Sequence, residues 1–92
     1  MNKTIKTAKQ LERHFKGVAN HHRINILLLV SKKKGICVED IAKELGCNFK
    51  TISEHTKKLT HAGLIDKEYH STTVMHSLSP YGERFCKFIT SF

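Results

Sequence analysis

The chain has 92 residues, too few for two domains of ordinary size, so we expect a single domain spanning residues 1–92. Sixteen Lys and Arg against eight Asp and Glu give a formal net charge of +8, and hydrophobic residues make up 39% of the chain. The hydrophobic share is too high for a disordered basic tail. The longest apolar run covers only residues 26–30, which is too short to span a membrane. The positive charge favours a polyanion as partner.

Apolar periodicity predicts the first two helices. The first covers residues 4–16, where one apolar stripe repeats every three or four positions. The second runs from His21 to about Lys33, with Asn20 as its N-terminal cap and Gly35 as a stop. Apolar residues cover most of its circumference, so it should form the buried centre.

Two short helices joined by a tight turn are predicted next. Residues 38–45 form an amphipathic helix with acidic residues in its first turn, and Gly46 permits a positive φ at the turn. Asn48 caps a fourth helix over residues 49–61, which Gly63 ends. The inward-facing residues of this helix are Ile52, Thr56 and Leu59.

From Leu64 onward the pattern changes to a period of two. Residues 64–69 and 73–78 are predicted as strands with a polar tip between them, and Ser79 followed by Pro80 starts a last helix. The fold class is therefore mainly α with a small β-hairpin: a winged helix-turn-helix of about five helices and a two-stranded wing.

The outer side of the fourth helix is predicted to enter the major groove of double-stranded DNA. The predicted contacts on or beside this helix are Asn48, Lys50, Thr51, Ser53, Glu54, His55, Lys57 and Lys58. Near the wing tip they are Lys67, His70, Ser71 and Thr72, which we expect to reach phosphate at most. The lysines are candidates for phosphate, Lys50 alternatively for guanine, and Thr51 for phosphate or a thymine methyl group. Glu54 either accepts from a cytosine amino group or pairs with a lysine one turn away, which is the interpretation we favour.

Two segments resemble the ArsR-like winged-helix repressors. Residues 51–65, TISEHTKKLTHAGLI, resemble the recognition-helix signature of that family. Residues 17–27, GVANHHRINIL, resemble the segment before and into its second helix, and the order of elements agrees from about Leu11 to Phe92. The resemblance implies a homodimer, paired through its first and last helices, that represses transcription from a pseudo-palindromic operator.

Three positions are interpreted against this resemblance. His55 matches a family position where a phosphate or base contact is implied, and a half-buried His satisfied by backbone is the equal alternative. Phe49 stands where many relatives have a polar, base-reading residue; it either packs inward, which we favour, or contacts a base. Thr56 replaces the usual Leu, so the core there is smaller or carries a hydroxyl bonded to the preceding turn.

The apolar stripes of the terminal helices predict dimerisation independently. The predicted interface residues are Ile5, Ala8, Leu11, Phe15, Phe85, Phe88, Ile89 and Phe92. A homodimer would bury both stripes and place two recognition helices roughly 34 Å apart. In the alternative, the three Phe of the last helix fill the core of the monomer.

No metal site and no cofactor are predicted. Metal-sensing members of the family carry Cys-x-Cys at the start of the third helix, or Asp and His ligands along the last helix. In this chain Cys37 matches the first cysteine of Cys-x-Cys, but Glu39 stands in place of the second. The last helix offers only Glu83 and Cys86, and the cysteines lack chelating spacing. Cys37 alternatively serves as a redox-sensing thiolate at a helix N-terminus, although a packed thiol is the interpretation we favour.

Other functional classes are weighed by their sequence signals. Neither a phosphate-binding glycine loop nor a nucleophile motif occurs, so we do not expect an enzyme. The first residues lack the apolar stretch of a secretory signal, and we expect a cytoplasmic protein. Acidic residues near the expected DNA surface (Glu54, Asp66 and Glu68) motivate a protein-interaction module as the alternative function.

Overall fold

The computed structural model describes residues 6–92, so the predicted interface residue Ile5 lies outside the described part of the chain. Five helices and one hairpin are present in that part. In chain order they are α1 (Ala8–Val18), α2 (His21–Lys32), α3 (Val38–Leu45), α4 (Phe49–His61), β1 (Ile65–His70), β2 (Thr73–Leu78) and α5 (Pro80–Ser91). The predicted fold class is confirmed.

Helix α1 differs most from its prediction. It begins at Ala8, so the predicted helix is wrong over residues 6 and 7, and it continues two residues past the predicted end at Lys16. Its start is fixed by a capping box, because the Thr7 hydroxyl accepts from the N–H of Gln10 and the Gln10 side chain accepts from the N–H of Thr7.

Helix α2 is the centre of the molecule, as predicted. The side chain of Asn20 caps it by accepting from the N–H groups of His22 and Arg23. Ile26 and Leu27 are fully buried, and α2 packs against every other helix and against β2. Displacing α2 would therefore disturb all the elements around it.

Helices α3 and α4 form the helix-turn-helix. Gly46 ends α3 in the left-handed region (φ +63°), the conformation the sequence predicts. Ile41 of α3 and Ile52 of α4 are fully buried in the common core, and Ala42 is also buried. This packing fixes the inner side of α4 and leaves its other side free.

The wing is a two-stranded antiparallel hairpin. Ile65 lies opposite Leu78 and His70 opposite Thr73, so the first strand starts one residue later than predicted and only residues 71 and 72 form the turn. The base of the wing is tied to the loop before α3, because His76 forms a β-bridge with Ile36 and its buried ring donates through Nδ1 to the Ile36 carbonyl (3.1 Å).

Helix α5 starts at Pro80 and is fixed closely to the base of the wing. The Ser79 hydroxyl accepts from the N–H of Gly82 (3.0 Å) and donates to the carbonyl of Gly63 (2.6 Å). Gly82 packs so tightly that a Cβ at this position would overlap the Leu64 carbonyl oxygen. Within residues 6–92, every helix is too short or too polar to cross a lipid bilayer.

Candidate nucleic-acid interface

The inner and outer sides of α4 have opposite character. Ile52 and Leu59 are fully buried and Thr56 is almost so. The exposed residues of the helix include five of the predicted contacts: Lys50, Thr51, Glu54, Lys57 and Lys58. We call these five residues the α4 surface. A basic helix surface presented by a buried inner side is suited to bind a polyanion.

Asn48 closes the start of α4. Its side-chain oxygen accepts from the backbone N–H of Lys50 (2.8 Å) and of Thr51 (3.2 Å), which confirms the predicted cap. The residue is exposed, so its amide NH₂ group is not drawn into the core and remains available to solvent or to an anion.

One shallow cleft brings five predicted contact residues together. It is lined by Lys50, Thr51, Glu54, His55 and Lys58. Ser53 is half-buried at the edge of the helix. The favoured pairing of Glu54 with a lysine is wrong in this structure, because no ion pair of Glu54 occurs among residues 6–92. The Glu54 carboxylate therefore keeps its acceptor capacity.

His55 is held by a neighbouring helix. Nη1 of Arg23 lies 3.2 Å from Nδ1 of His55, and the ring of His22 stacks on His55 at a centroid distance of 5.2 Å. Burial lowers the pKa of His55 below its ordinary value, and the charges of Arg23, His22 and Lys58 lower it further, against a small opposing effect of Glu54. The neutral ring then accepts from Arg23 through Nδ1. The alternative of a ring satisfied by backbone is wrong.

A second cleft next to the α4 surface was missed by sequence reasoning. It is lined by the basic residues Arg13, Lys16, Arg23, Lys58 and His61, and we call it the basic cleft. Arg13 donates to the carbonyl of His61 (3.3 Å), and buried His14 bonds through Nδ1 to the carbonyl of Ala62 (2.7 Å). The sequence places Arg13 and Lys16 off the apolar stripe of α1, but only the packing of α1 on α4 brings them to Lys58.

The four predicted wing residues are all exposed. Lys67, His70, Ser71 and Thr72 lie along or at the tip of the hairpin. Alternation along β1 puts Asp66 and Glu68 on the opposite face from Lys67. The ring of His70 lies beside Glu68, with Nε2 and Oε1 3.6 Å apart. Lys67 thus projects from a face that it does not share with these two carboxylates.

The favoured expectation for Phe49 is wrong, and one of the two alternatives for Thr56 is excluded. Phe49 does not pack inward, since 51% of its surface is exposed. Thr56 is buried, but its hydroxyl has no hydrogen-bond partner among the described residues and is not bonded to the preceding turn. The Thr60 hydroxyl instead donates to the carbonyl of Thr56 (3.0 Å). The Thr56 hydroxyl is therefore an uncompensated polar group in the core.

Cys37 and Cys86 are placed unfavourably for a reactive thiolate. Cys37 lies at the N-terminus of α3, as predicted, in the N-cap position. The backbone N–H of Asp40 lowers its pKa; burial and the carboxylates of Asp40 and Glu39 outweigh this and raise the pKa above its ordinary value. Burial also raises the pKa of the Cys86 thiol. Residues 6–92 contain no cluster of three or more His, Cys, Asp or Glu that could hold a metal ion.

Helices α1 and α5 share an exposed apolar face. Leu11, Phe15 and Phe88 are 41%, 50% and 54% exposed, and Phe92 is 97% exposed. Ala8 is exposed as well, whereas Phe85 and Ile89 are half-buried against the core. Phe15 meets Phe85 edge-to-face at a centroid distance of 5.3 Å. We call Leu11, Phe15, Phe88 and Phe92, with Tyr81 beside them, the apolar face. The alternative in which all three Phe of α5 fill the core is wrong for Phe88 and Phe92.

A family model identifies the chain. The model of the ArsR family of bacterial regulatory proteins matches residues 20–67, just over half of the 92 residues. The chain belongs to the ArsR family. The resemblance noted in the sequence is thereby confirmed. The match runs from the cap of α2 through α4 into β1, so it includes the α4 surface.

Solved structures share the fold of this ArsR family member. A homodimeric winged helix-turn-helix DNA-binding domain from Mycobacterium bovis is 26% identical, with a TM-score of 0.80 over 90% of this chain and 78% of that one. HlyU from Vibrio cholerae is 21% identical (TM-score 0.81, 94% of each chain). The transcriptional repressor PagR of Bacillus anthracis is also 21% identical (TM-score 0.80, 88% and 93%). At 21% identity, HlyU and PagR support only the shared fold. No curated protein sequence matches the chain.

Proposed function

We propose that the protein is a homodimeric, sequence-specific DNA-binding repressor. The family and the fold are those of DNA-binding transcription regulators, not of enzymes. The observation that carries the proposal is the α4 surface, where three exposed lysines stand opposite a fully buried inner side. A helix held in this way can enter the major groove without any change in the core.

The α4 surface and its two half-buried neighbours, Ser53 and His55, make different kinds of contact. Lys57 and Lys58 neutralise phosphates, and Lys50 reaches a phosphate or a guanine edge near the start of the helix. Thr51, Ser53, His55 and the unpaired carboxylate of Glu54 are the candidates for base contacts. Lysine contacts supply affinity for any sequence, and the polar residues supply the preference among sequences.

The remaining predicted contacts bind the DNA backbone on either side of α4. Asn48 offers its exposed amide NH₂ group, Lys67 meets phosphate from the face of β1 that carries no carboxylate, and His70, Ser71 and Thr72 meet it at the tip of the wing. In the proposal the wing does not enter the minor groove, because it carries no arginine within Ile65–Leu78.

Dimerisation buries the apolar face of each copy against that of the other. Five large apolar side chains on α1 and α5 are 40% or more exposed, and a twofold axis through them covers both copies at once. The Mycobacterium bovis domain, which is 26% identical, is a homodimer. The two α4 surfaces of the dimer then enter successive major grooves, about one turn of DNA apart. Because the two copies are related by a twofold axis, the operator must be pseudo-palindromic.

The proposal uses neither a metal nor a cofactor. Glu39 stands where a Cys-x-Cys pair would need its second thiol, and the raised pKa of Cys37 disfavours a thiolate sensor. Double-stranded DNA and a second copy of the chain are the partners. Because bacterial DNA lies in the cytoplasm, the protein would act there.

A binding selection tests the proposal. Duplexes enriched by the protein from a random-sequence pool should share a pseudo-palindrome, and sedimentation of the protein with one such duplex should give two protomers per DNA. A promoter that contains the selected site should be transcribed less when the protein is added. A protein that retards no duplex even at low salt would instead be a protein-interaction module, and the proposal would fail.

A further inference from the structure

Phe49 is an exposed aromatic residue at the start of α4, and the dimer proposal does not account for it. Among the described residues, the other large hydrophobic side chains exposed by 40% or more lie on α1, on α5 or at Phe92 directly after α5, apart from Tyr69 on the wing. Phe49, at 51% exposed, belongs to the helix-turn-helix itself. Phe49 is thus the one apolar side chain among the exposed residues of α4.

The position of Phe49 directs this ring toward the end of the helix. It is the first residue of α4, directly after the cap Asn48. Side chains of an α-helix tilt toward its N-terminus, so the ring extends past the first turn instead of lying along the helix. Phe49 is outside the core cluster and forms no aromatic pair with another described residue.

We propose that Phe49 reads a thymine by packing its ring against the C5-methyl group in the major groove. This inference rests on the proposed function, in which the N-terminal residues of α4 meet base edges. The thymine methyl is the apolar group that bases present in this groove, and an apolar side chain distinguishes it from the polar edges of the other bases. Apolar wedges that unstack bases act from the minor groove, which α4 does not enter.

Burial of the methyl group gives the contact its energy. Removing one buried methyl-sized group weakens binding about fourfold, so each half-site of the homodimer should contribute about that factor. Lys50 and Thr51, the next two residues of α4, are exposed and are themselves candidates for phosphate and base contacts, so the apolar contact adds to polar contacts that are retained without it.

A uracil scan of a selected duplex tests the inference. Duplexes are first selected from a random-sequence pool with the unaltered protein, and each thymine is then replaced by deoxyuridine, which keeps the base pair and lacks the methyl group. At one thymine in each half-site, the unaltered protein should lose about fourfold in affinity. Phe49→Ala should bind the thymine and uracil duplexes equally, and Phe49→Leu should retain part of the difference.

Tyr69→Ala is the matched control, because it removes an exposed aromatic ring from the wing and should leave the thymine-to-uracil ratio unchanged. Phe49→Ala should unfold at the same temperature as the unaltered protein, since the ring is outside the core. If the unaltered protein binds its duplex but tolerates uracil at every thymine, this inference alone is overturned. The same holds if Phe49→Ala changes only dimerisation. If no duplex is selected, the proposed function is overturned with it.

Discussion

The guanidinium of Arg23 lies 3.2 Å from Nδ1 of His55 and joins the start of α2 to the middle of α4. The same side chain donates through Nη2 to the carbonyl of Lys16 in α1 (3.3 Å). Arg23 therefore connects α1, α2 and α4. It holds α4 at His55, while the core holds the inner side of the same helix.

Replacing this side chain should loosen α4. Arg23→Met keeps an apolar stem but removes both hydrogen bonds, so the free energy of unfolding should fall by about 1–3 kcal/mol. Urea denaturation measures the loss. Arg13→Met is the control, because it removes one exposed bond to the His61 carbonyl and should cost less. Equal losses in the two variants would show that Arg23 has no special structural role.

Acidification should destabilise the folded protein through two histidines. Burial lowers the pKa of His76 despite its bond to Ile36, and burial with nearby positive charge lowers that of His55. The unfolded chain binds these protons near its ordinary pKa of about 6.5, whereas the folded chain resists them, so stability falls as the pH drops below that value.

Urea denaturation at about pH 7.5 and about pH 5 measures this effect. The unaltered protein should be less stable at the lower pH. The variant with both His55→Gln and His76→Gln should show a smaller difference, because Gln stays uncharged at both values. An unchanged pH dependence in that variant would assign the effect to other groups.

Lys57 and Lys58 should act through phosphate. Replacing both with Ala should weaken binding to all duplexes alike and reduce the slope of log K against log salt by about 0.9 for each phosphate that is no longer neutralised. Fluorescence anisotropy at several salt concentrations provides the slope. The control is Lys87→Ala on α5, which removes a charge from a groove lined only by residues of α2, β2, α5 and the loop after α2. If the control lowers the slope as much, the phosphates are not bound by α4.

Phe88→Glu should prevent the proposed dimer from forming. The ring is 54% exposed in the isolated chain, so the change spares the core but buries a charge in the proposed interface. Losing two buried rings per dimer should weaken association by about a hundredfold or more. Sedimentation gives the oligomeric state. Tyr69→Glu, which alters an exposed ring outside the apolar face, should leave the dimer intact, and monomers in both variants or in neither would contradict the prediction.

Gly82 should tolerate no side chain. Gly82→Ala would place a methyl group against the Leu64 carbonyl and should destabilise the protein by about 1–3 kcal/mol. The comparison is Gly46→Ala, where open space surrounds the new methyl group and only the positive φ opposes it, at about 1 kcal/mol. Thermal unfolding ranks the two variants, and a smaller loss for Gly82→Ala would disprove the close approach.

Local signals explain why most element ends were predictable. Asn20 and Asn48 cap the helices that they were expected to cap, and the last helix starts at Ser79 and Pro80 as predicted, because such starts depend on the next three residues alone. The capping box at Thr7 and Gln10 is also a local signal. It was missed because the apolar stripe of α1 extends before it, and the helix was therefore predicted to start at residue 4. The fold class followed from these ends and from the change of period after Gly63.

The candidate site was predictable only in part. Which residues of α4 face outward follows from helical periodicity, but what surrounds them depends on packing between helices. Arg23 and Arg13 reach α4 from helices that precede it by many residues in the chain, a relation that periodicity does not contain. Packing inward was the favoured alternative for Phe49, yet this first residue of α4 is exposed because it lies beyond the part of the helix that the core covers.

The cap at Asn48 has a consequence for how the protein would travel along a duplex. It already occupies the two backbone amides at the tip of α4, so these rigid, directional donors are not offered to phosphate. In the proposed complex, the phosphate contacts made by α4 itself would come from long, flexible ammonium groups, which tolerate small offsets between successive phosphates. A protein bound in this way would slide along unrelated sequence with few directional bonds to break. It would stop where the base edges match its polar side chains.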